Sequence, residues 1–388
     1  MCQGLLHGEE VVAALYGFGR IAMSQGVIKK TVTLILTDSF NLSCSYCYQG
    51  NRQKRYMPYE CAERIIEDEL MADDGYEEAI ISFFGGEPFM AFDLIKKCYD
   101  FVWDRDWPKK RICFVTTNGT LVHGDIQEWL TERKDHSWCG LSLDGPREIH
   151  NKNRCNSFER IDLDFFHKTW PEQTIKMTVS PETLPHLAEG VKFIHELGFP
   201  VANNLAYGVD WSAADNVSIL GEQLYELIEF YLENPSIKPC TMLSMSIPRL
   251  ATVKKKDIHR WCGAGVHMRT YDVDGTLYPC HLFAPGALGA KDKKIIEEID
   301  FNNDELFRDE KCENCILQAI CPTCYGSNLI YSGSLGKRDD NLCQLTKVIA
   351  KAVALFEYRK IERYGIDSVG TESEQYKMVK GISLVQTL

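Results

Sequence analysis

No hydrophobic run in this sequence approaches the roughly 20 residues that a transmembrane helix requires. The amino terminus lacks the basic leader and the long apolar core of a signal peptide, so no export signal is predicted. Positive charge is also scarce, because the sequence has 43 Lys and Arg but 55 Asp and Glu, which gives a net charge of -12. This balance disfavours a surface for nucleic acid or for anionic membranes, so we expect a cytoplasmic protein that binds neither.

Cysteine, by contrast, is abundant, with 16 residues in a chain of 388. In a protein without an export signal, so many thiols are better explained as metal ligands than as disulfide partners. Some single cysteines, such as Cys98 and Cys113, fall in helical or strand patterns and are better explained as small buried hydrophobic residues. Seven others crowd the last third of the chain: Cys262, Cys280, Cys312, Cys315, Cys321, Cys324 and Cys343.

Short β-branched runs alternate with longer amphipathic runs from residue 31 onward. They predict strands at 31–37, 79–84, 111–116, 139–143, 175–179 and 201–206. Helical patterns fall at 59–72, 93–104, 125–133, 158–168, 184–197, 217–232 and 347–364. This alternation predicts an α/β fold in which a parallel sheet curls into a partial (βα)6 TIM-like barrel. Its ligand site would lie at the carboxyl ends of the strands.

The periodic pattern fades at about residue 235, where the cysteine-rich region begins. We therefore divide the chain into an N-terminal segment, 1–30, and a barrel, 31–234. A bridging and cysteine-rich region, 235–345, follows, and a helix and tail, 346–388, end the chain. The tail after residue 365 carries little structural signal.

Polar or glycine-containing motifs follow the first four predicted strands. Cys44-Ser45-Tyr46-Cys47 lies after the first strand, and this spacing alone would suit zinc, a redox dithiol or an iron–sulfur cluster, with zinc favoured. The next three strands end in motifs that could each be an ordinary turn if taken singly: Gly85-Gly86-Glu87-Pro88, Thr116-Thr117-Asn118-Gly119 and Ser142-Leu143-Asp144-Gly145. Their placement at successive strand ends favours a shared site.

Together these motifs resemble those of radical S-adenosylmethionine (radical SAM) enzymes, and the resemblance runs from residue 31 to about 206. It implies a [4Fe–4S] cluster that binds SAM, with Cys44 and Cys47 as iron ligands and Tyr46 near the adenine. It also implies that Arg154 pairs with the SAM carboxylate through its planar fork, although a surface salt bridge is the alternative. The other cofactor-binding residues that it implies are Gly85, Gly86, Glu87 and Pro88 at the SAM amino group, with Asn118 and Ser142 beside them.

One position departs from the family pattern, which has a third cysteine four residues before Cys44, where this chain has Phe40. A cluster that leaves one iron open to SAM needs three cysteinates, and phenylalanine cannot bind iron. With two thiolates the cluster would bind weakly, change its nuclearity, or take an oxygen ligand from Asp38 or Ser39. The neighbouring family positions are intact, which favours a recent single change over gradual decay.

The cysteines of the last third resemble the SPASM extension, which holds auxiliary iron–sulfur clusters in radical SAM enzymes that modify peptides and proteins. The resemblance implies two clusters, the nearer bound by Cys262, Cys280 and Cys324, and the farther by Cys312, Cys315, Cys321 and Cys343. The family has three residues between the last two cysteines of the central run, whereas this chain has two, and 263–279 lacks a further cysteine. A four-thiolate zinc site is the alternative, but seven cysteines exceed one such site.

His281 follows Cys280, and the resemblance to peptide-crosslinking maturases implies a catalytic role for it. A hydrogen bond from its ring to a cluster sulfur is the alternative. Asp144 is a weaker candidate for a catalytic base, since an aspartate after a strand often caps a turn.

The resemblance predicts a ribosomal-peptide maturase that abstracts hydrogen and forms thioether or carbon crosslinks. Sulfatase maturation by formylglycine formation is the close alternative, and a non-catalytic protein disabled by Phe40 is the other. The expected partners are a peptide or protein substrate and an external low-potential electron donor. Only about thirty residues precede the first strand, too few for a winged recognition domain, so leader binding would need a separate protein or none.

Overall fold

The computed structural model describes residues 29–50, 53–253, 260–288 and 293–388. The N-terminal segment predicted at 1–30, and with it the expected lack of an export signal, lies almost wholly outside these residues. Among the described helices, none is both long and apolar enough to cross a membrane. The chain forms two compact units, and its division into the four segments named above stays a prediction. Unit 1 comprises the described residues within Met1–Leu143, His150–Lys176 and Cys262–Asn302, and unit 2 those within Asp144–Ile149, Met177–Trp261 and Asn303–Leu388.

The strands predicted from β-branched runs are confirmed, with ends that differ by at most two residues. In the described residues the strands are β1 (Lys29–Thr37), β2 (Glu78–Gly85), β3 (Lys110–Thr117), β4 (Ser137–Leu141), β5 (Ile175–Val179), β6 (Val201–Leu205), β7 (Met268–Tyr271) and β8 (Leu277–Tyr278). Val32, Leu34 and Leu36 of β1 have no exposed surface. Such a continuous buried run is typical of a parallel strand that is covered on both faces.

The main sheet of unit 1 has the strand order β4-β3-β2-β1-β7-β8. β1 to β4 pair in parallel, as predicted, and β7 adds in parallel to the other edge of β1. β8 pairs antiparallel to β7. The strand β7 was not predicted, because Met-Arg-Thr-Tyr contains no apolar run.

The predicted sheet of six consecutive strands differs from the structure at β5 and β6, which form a separate two-stranded sheet. The end of β4 still reaches β5, since Ser142 forms a parallel bridge with Lys176 and the Leu143 N–H donates to the Lys176 carbonyl at 2.9 Å. The α/β class and the parallel sheet are therefore confirmed, but the strands do not form one uninterrupted ladder.

Helices follow the strands in the order expected of βα repeats. The α-helices of the described residues are α1 (Tyr59–Met71), α2 (Phe92–Trp103), α3 (Asp125–Glu132), α4 (Arg147–Asn153), α5 (Leu163–Thr169), α6 (Leu187–Glu196), α7 (Asn216–Glu233), α8 (Pro285–Leu288), α9 (Lys293–Glu297), α10 (Tyr325–Ser332), α11 (Asp340–Tyr364) and α12 (Glu372–Val385). The helix predicted at 158–168 is wrong in its first half, where a short 3-10 turn ends at Arg160. Asp162 then caps α5 by accepting a hydrogen bond from the Phe165 N–H at 3.1 Å.

The tail after residue 365 forms a further helix of unit 2, α12, although the sequence indicated little structure there. Thr371 and Glu374 form a reciprocal capping box at its start. Gly381 of α12 faces the backbone of Ile247, so closely that an added Cβ would lie 2.8 Å from the Ile247 Cγ2 and nearer still to its carbonyl oxygen. The glycine therefore allows α12 to pack directly on this segment.

We predict that Gly381→Ala destabilises the protein, because the clash with the Ile247 backbone outweighs the better helix propensity of alanine. Overpacking of this kind costs about 1–3 kcal/mol of the free energy of unfolding. Gly221 in α7 is the matched control, since an added Cβ there would meet only the Val348 Cγ1 at 3.9 Å. Gly221→Ala should stabilise by about 0.5–1 kcal/mol. Urea unfolding of both variants measures the difference, and equal effects of the two would contradict the packing argument.

Candidate functional site

The loop that follows β1 lies directly against the end of β2. The Gly86 N–H donates to the Thr37 carbonyl and the Glu87 N–H to the Ser39 carbonyl, both at 2.9 Å. An added Cβ on Gly86 would lie 2.8 Å from the Phe40 Cδ2 and nearer still to the Ser39 oxygen. Gly85 has a φ of 153°, which L side chains rarely adopt. The two glycines thus permit this close approach, and a direct role toward SAM stays a prediction.

Glu87 joins the end of β2 to the end of β3. Its carboxylate, only 1% exposed, accepts hydrogen bonds from the Thr117 hydroxyl at 2.8 Å, the Asn118 N–H at 2.9 Å and the Phe89 N–H at 3.2 Å. Burial raises the pKa of Glu87 to about 7, although these hydrogen bonds and the charge of Arg154 act in the opposite direction. The buried Pro88 begins the 3-10 helix that the Glu87 carboxylate caps.

Three polar side chains form a closed hydrogen-bonded ring beside Glu87. Asn118 donates through its Nδ2 to the Asn41 Oδ1 at 2.8 Å and accepts from the Thr120 hydroxyl at 2.7 Å. Asn41 closes the ring by donating to the Thr120 Oγ1 at 2.8 Å. The ring fixes the orientation of Asn118. Asn41 was not predicted as a site residue, although it lies in the loop between Phe40 and Cys44.

Arg154 and Tyr46 lie together, as the motif resemblance implies. The Arg154 guanidinium carbon is 5.4 Å from the centre of the Tyr46 ring, and Arg154 is only 7% exposed. Its positive charge lowers the pKa of Glu87. Arg154 is therefore a buried cation near a buried carboxyl group, and the alternative of a surface salt bridge is wrong.

The Cys44–Cys47 loop forms a tight turn in which the Cys47 N–H donates to the Cys44 carbonyl at 3.2 Å. Both cysteines are half-buried. The Ser45 N–H donates to the Asn153 carbonyl at 2.9 Å, so the end of α4 holds the middle of the turn. The predicted iron ligands thus sit on a loop that the rest of unit 1 supports.

The two oxygen ligands considered as replacements at Phe40 differ in their availability. The Asp38 carboxylate pairs with Arg55, whose Nε donates to it at 2.7 Å. The buried Ser39 hydroxyl has no hydrogen-bond partner among the described residues. Of the two, only Ser39 offers an unused buried oxygen atom beside the cysteine loop.

Ser142 and Asp144 lie after β4 in different units. Ser142 of unit 1 is buried, and its N–H donates to the Thr117 carbonyl at 3.0 Å. Asp144 of unit 2 is also buried, and its carboxylate accepts from the Thr178 N–H at 3.0 Å. This bond to a backbone group favours a structural role for Asp144 over that of a base.

His281 lies among aromatic residues of unit 1. Its ring centre is 4.9 Å from that of Phe84 and 5.9 Å from that of Tyr48. Burial lowers the pKa of His281 to about 4, so its imidazole is neutral at pH 7. A neutral imidazole can both donate and accept a hydrogen bond, which suits contact with a substrate or with a cluster sulfur. The neighbouring Cys280 is buried and Cys262 is half-buried.

A buried arginine lies among the cysteines of unit 2. Arg338, 8% exposed, donates to the Cys321 sulfur and, through its Nη2, to the Pro322 carbonyl at 2.8 Å. Burial is the main cause that raises the pKa of Cys321, while the arginine lowers it. This guanidinium interacts electrostatically with three of the thiols assigned to the farther cluster, Cys312, Cys321 and Cys343. The fourth, Cys315, interacts with Cys312 and Cys321. Cys324 instead accepts from the Ser327 N–H at the start of α10, at 3.5 Å.

No described group of three or more His, Cys, Asp or Glu side chains is arranged to hold one metal ion. The thiols of an iron–sulfur cluster lie farther apart than those of a mononuclear site, because each binds a different iron. Three of the four assigned cysteines, Cys312, Cys321 and Cys343, interact with one guanidinium, and these thiols fit a cluster by donor type and charge. At the Cys44–Cys47 loop the two thiols would fit a cluster that leaves one iron open only if another residue supplied the third ligand, because Phe40 cannot bind iron.

The raised pKa of Glu87 predicts that the stability of the protein depends on pH. Its folded pKa of about 7 exceeds the ordinary 4.5, so the folded state binds the proton more tightly. The proton on Glu87 therefore contributes at most about 3 kcal/mol to the free energy of unfolding. This contribution is fully present below pH 4.5 and is lost as the pH rises through 7. Glu87→Gln should remove this slope. Urea unfolding between pH 5 and 8 measures it, with the exposed Glu77→Gln as control, and parallel curves for wild type and Glu87→Gln would refute the expectation.

The hydrogen bonds of Arg338 predict that this residue stabilises unit 2. Arg338→Met leaves the Pro322 carbonyl and the Cys321 thiol without their donor, which should cost about 1–3 kcal/mol of unfolding free energy. The adjacent and exposed Lys337→Met is the matched control and should change stability little. Thermal unfolding of the metal-free proteins gives the comparison. Equal midpoints for the two variants would mean that the arginine does not support this fold.

No family model matches the chain. A cysteine-type anaerobic sulfatase-maturating enzyme of Clostridium perfringens is 30% identical over 175 residues, which are 41% of this chain and 46% of that protein. The chain thus matches about half the length of that relative. Radical SAM cyclopropyl synthase TigE of Paramaledivibacter caminithermalis is 23% identical over 375 residues, 87% of this chain and 76% of that protein.

Two solved structures share the fold. Histidine-tagged anSMEcpe with bound AdoMet superposes with a TM-score of 0.66 at 19% identity, over 92% of this chain and 98% of that one. Streptococcus suis SuiB bound to precursor peptide SuiA superposes with a TM-score of 0.55 at 18% identity, over 86% of this chain and 79% of that one. These similarities confirm the resemblance drawn from the motifs. The chain is a homologue of the radical SAM enzymes that modify proteins and peptides.

Proposed function

We propose that this chain is a radical SAM maturase that abstracts hydrogen from a peptide side chain and forms a thioether or carbon crosslink in a ribosomal peptide. The observation that carries the proposal is the grouping of Tyr46, Glu87 and Arg154 beside the Cys44–Cys47 loop. Their residue types match the motif assignments for SAM. When bound, SAM and its cluster would supply a 5′-deoxyadenosyl radical.

The residues of the strand ends would bind and orient SAM. The buried Arg154 would pair with the SAM carboxylate, because its planar fork matches two carboxylate oxygens. Glu87, with a pKa of about 7, would ionise fully once the SAM ammonium group lies beside it, since a nearby cation favours the charged carboxylate. Gly85, Gly86 and Pro88 would shape this subsite, and the ring that fixes Asn118 would support it. Ser142 would lie toward the ribose or methionyl end.

The auxiliary cysteines would hold further clusters that accept an electron or bind the substrate. In unit 2, Cys312, Cys315, Cys321 and Cys343 would bind one cluster, and Arg338 would offset part of its negative charge. Cys262 and Cys280 of unit 1 would contribute to another. His281 would contact the peptide or a cluster sulfur as a neutral imidazole. The peptide substrate is supported by the SuiB relative, whose structure contains precursor peptide SuiA.

Sulfatase maturation is the second candidate, and the 30% identity to the Clostridium perfringens enzyme favours it. Both reactions would need an external low-potential electron donor, and the crosslinking reaction could also need a separate leader-binding protein. A hydrazide probe separates the two candidates, because formylglycine is an aldehyde and a thioether or carbon crosslink is not. A crosslinked cysteine instead becomes resistant to alkylation.

The proposal predicts that the reduced wild-type protein, reconstituted with iron and sulfide under anaerobic conditions, releases 5′-deoxyadenosine from SAM. Cys44→Ala should abolish the release, because it removes a ligand from the loop. Liquid chromatography measures the product over time.

Phe40→Cys and Phe40→Ala separate the enzyme from the non-catalytic alternative. Phe40→Ala controls for loss of the aromatic ring, and Phe40→Cys adds the thiol that the family has at this position. If the wild type and Phe40→Ala release no product and Phe40→Cys does release it, the chain is a disabled enzyme and the proposal is overturned.

A further inference from the structure

We propose that Arg55 is a positioning residue that fastens the Cys44–Cys47 loop to the end of β7. It does so through two buried aspartates, Asp38 and Asp272. The inference deepens the proposed function and rests on it, because this loop carries the proposed iron ligands. It assigns a role to an arginine that no sequence motif includes. The link would hold the loop against the segment that leads from β7 to His281.

Arg55 lies where the chain returns from the Cys44–Cys47 loop to the end of β1. Its carbonyl accepts hydrogen bonds from the Asp38 N–H at 3.1 Å and from the Thr37 hydroxyl at 2.9 Å. The next residue, Tyr56, forms an antiparallel bridge with Thr37. The two ends of the loop are therefore joined at Arg55, and the backbone from which its side chain extends is fixed.

The Arg55 guanidinium joins two carboxyl groups at neighbouring strand ends. Its Nη2 lies 2.5 Å from the Asp38 Oδ2 and 3.4 Å from the Asp272 Oδ2, and its Nε donates to the Asp38 Oδ2 at 2.7 Å. Asp38 directly follows β1 and Asp272 directly follows β7. These strands pair in parallel as far as Leu34 and Tyr271. The side chains thus continue the connection of the two strands beyond their last backbone pair.

Both carboxyl groups share this one guanidinium. Asp272 is 1% exposed and Asp38 is 6% exposed, whereas the Arg55 side chain is 35% exposed. Burial raises the pKa of Asp272, and the Val273 N–H and the charge of Arg55 act in the opposite direction. Removing one partner of a buried carboxylate leaves its charge uncompensated. Loss of Arg55 should therefore loosen both segments that these carboxyl groups belong to.

A second contact joins the same two parts of unit 1. The ring centre of Tyr48, beside the second loop cysteine, lies 5.9 Å from that of His281. The chain turns tightly after Asp272, since the Gly275 N–H donates to the Asp272 carbonyl at 2.8 Å. The loop therefore meets the segment 272–281 at both of its ends. Because Arg55 makes the first of these contacts, it helps to set the position of the loop relative to the histidine.

Amide hydrogen exchange of the metal-free, full-length protein, followed by mass spectrometry of its peptides, tests the inference. Arg55→Met and Asp272→Asn should each speed exchange of the protected amides in 39–49 and 273–281 by roughly tenfold, the equivalent of one lost charge-assisted hydrogen bond. The double variant should exchange no faster than either single variant, because both changes remove the same link. Arg55→Lys keeps the positive charge and should lie between wild type and Arg55→Met.

Arg269→Met is the matched control. Arg269 lies on β7, and its side chain is 36% exposed, close to the value for Arg55. Its Nε pairs with the buried Glu69 of α1 at 2.9 Å, so it joins β7 to a helix instead of the loop. Arg269→Met should leave exchange in 39–49 and 273–281 at the wild-type rate. In reconstituted and reduced protein, Arg55→Met should change the electron paramagnetic resonance spectrum that SAM induces, whereas Arg269→Met should keep the wild-type spectrum.

Three results would overturn the inference. If Arg55→Met exchanges at the wild-type rate in both segments, or faster throughout unit 1 as Arg269→Met then also does, Arg55 has no positioning role. If Asp272→Asn has no effect, or its effect adds to that of Arg55→Met, the link to β7 does not hold the loop. If exchange changes as expected but the spectrum does not, the link serves stability alone. If the wild type shows no signal that responds to SAM, the proposed function fails, and the exchange rates, which need no cluster, still decide whether Arg55 holds the loop.

Discussion

The close approach of the loop after β1 to the glycines at the end of β2 is the constraint on which the candidate site depends. Two backbone hydrogen bonds, from the Gly86 and Glu87 N–H groups to Thr37 and Ser39, hold the two segments together. No side chain fits at Gly86, so this residue can approach the Ser39 backbone and the Phe40 ring closely. The close approach places the Glu87 carboxylate where it accepts donors from the end of β3. Three strand ends therefore behave as one structural group.

Each candidate site also contains one buried guanidinium. A buried charge is costly unless other groups compensate it, so such residues persist where they have a specific electrostatic partner. Arg154 lies near the Glu87 carboxyl group in unit 1, and Arg338 lies among thiols in unit 2. Cysteinates that bind iron are anionic, so a buried cation among them favours the deprotonated, metal-binding form. In unit 2 Arg338 acts on Cys312 and Cys321 in this direction, although burial still raises the pKa of both thiols, and their metal-binding role stays a prediction.

The sequence predicted best those features that depend on local patterns. Buried β-branched runs identified six strands, whereas β7, with its polar Arg and Thr, could be recognised only from its pairing with β1. The helix predicted at 158–168 failed because the cap at Asp162 starts a new helix inside the pattern. Arg338 was missed because its partner Cys321 lies 17 positions away in the sequence. Motifs identify residues that recur at fixed spacing, and they cannot show such contacts.

Phe40 takes part in the strand-end contact. The Phe40 ring is half-buried and packs beside Gly86, in contact with the same backbone that positions Glu87, so an aromatic residue there is compatible with the strand-end contact. Phenylalanine cannot bind iron, so a third ligand of a cluster at the Cys44–Cys47 loop would have to come from another residue. Of the two oxygen ligands considered, the buried Ser39 hydroxyl is the one without a hydrogen-bond partner among the described residues, whereas the Asp38 carboxylate pairs with Arg55.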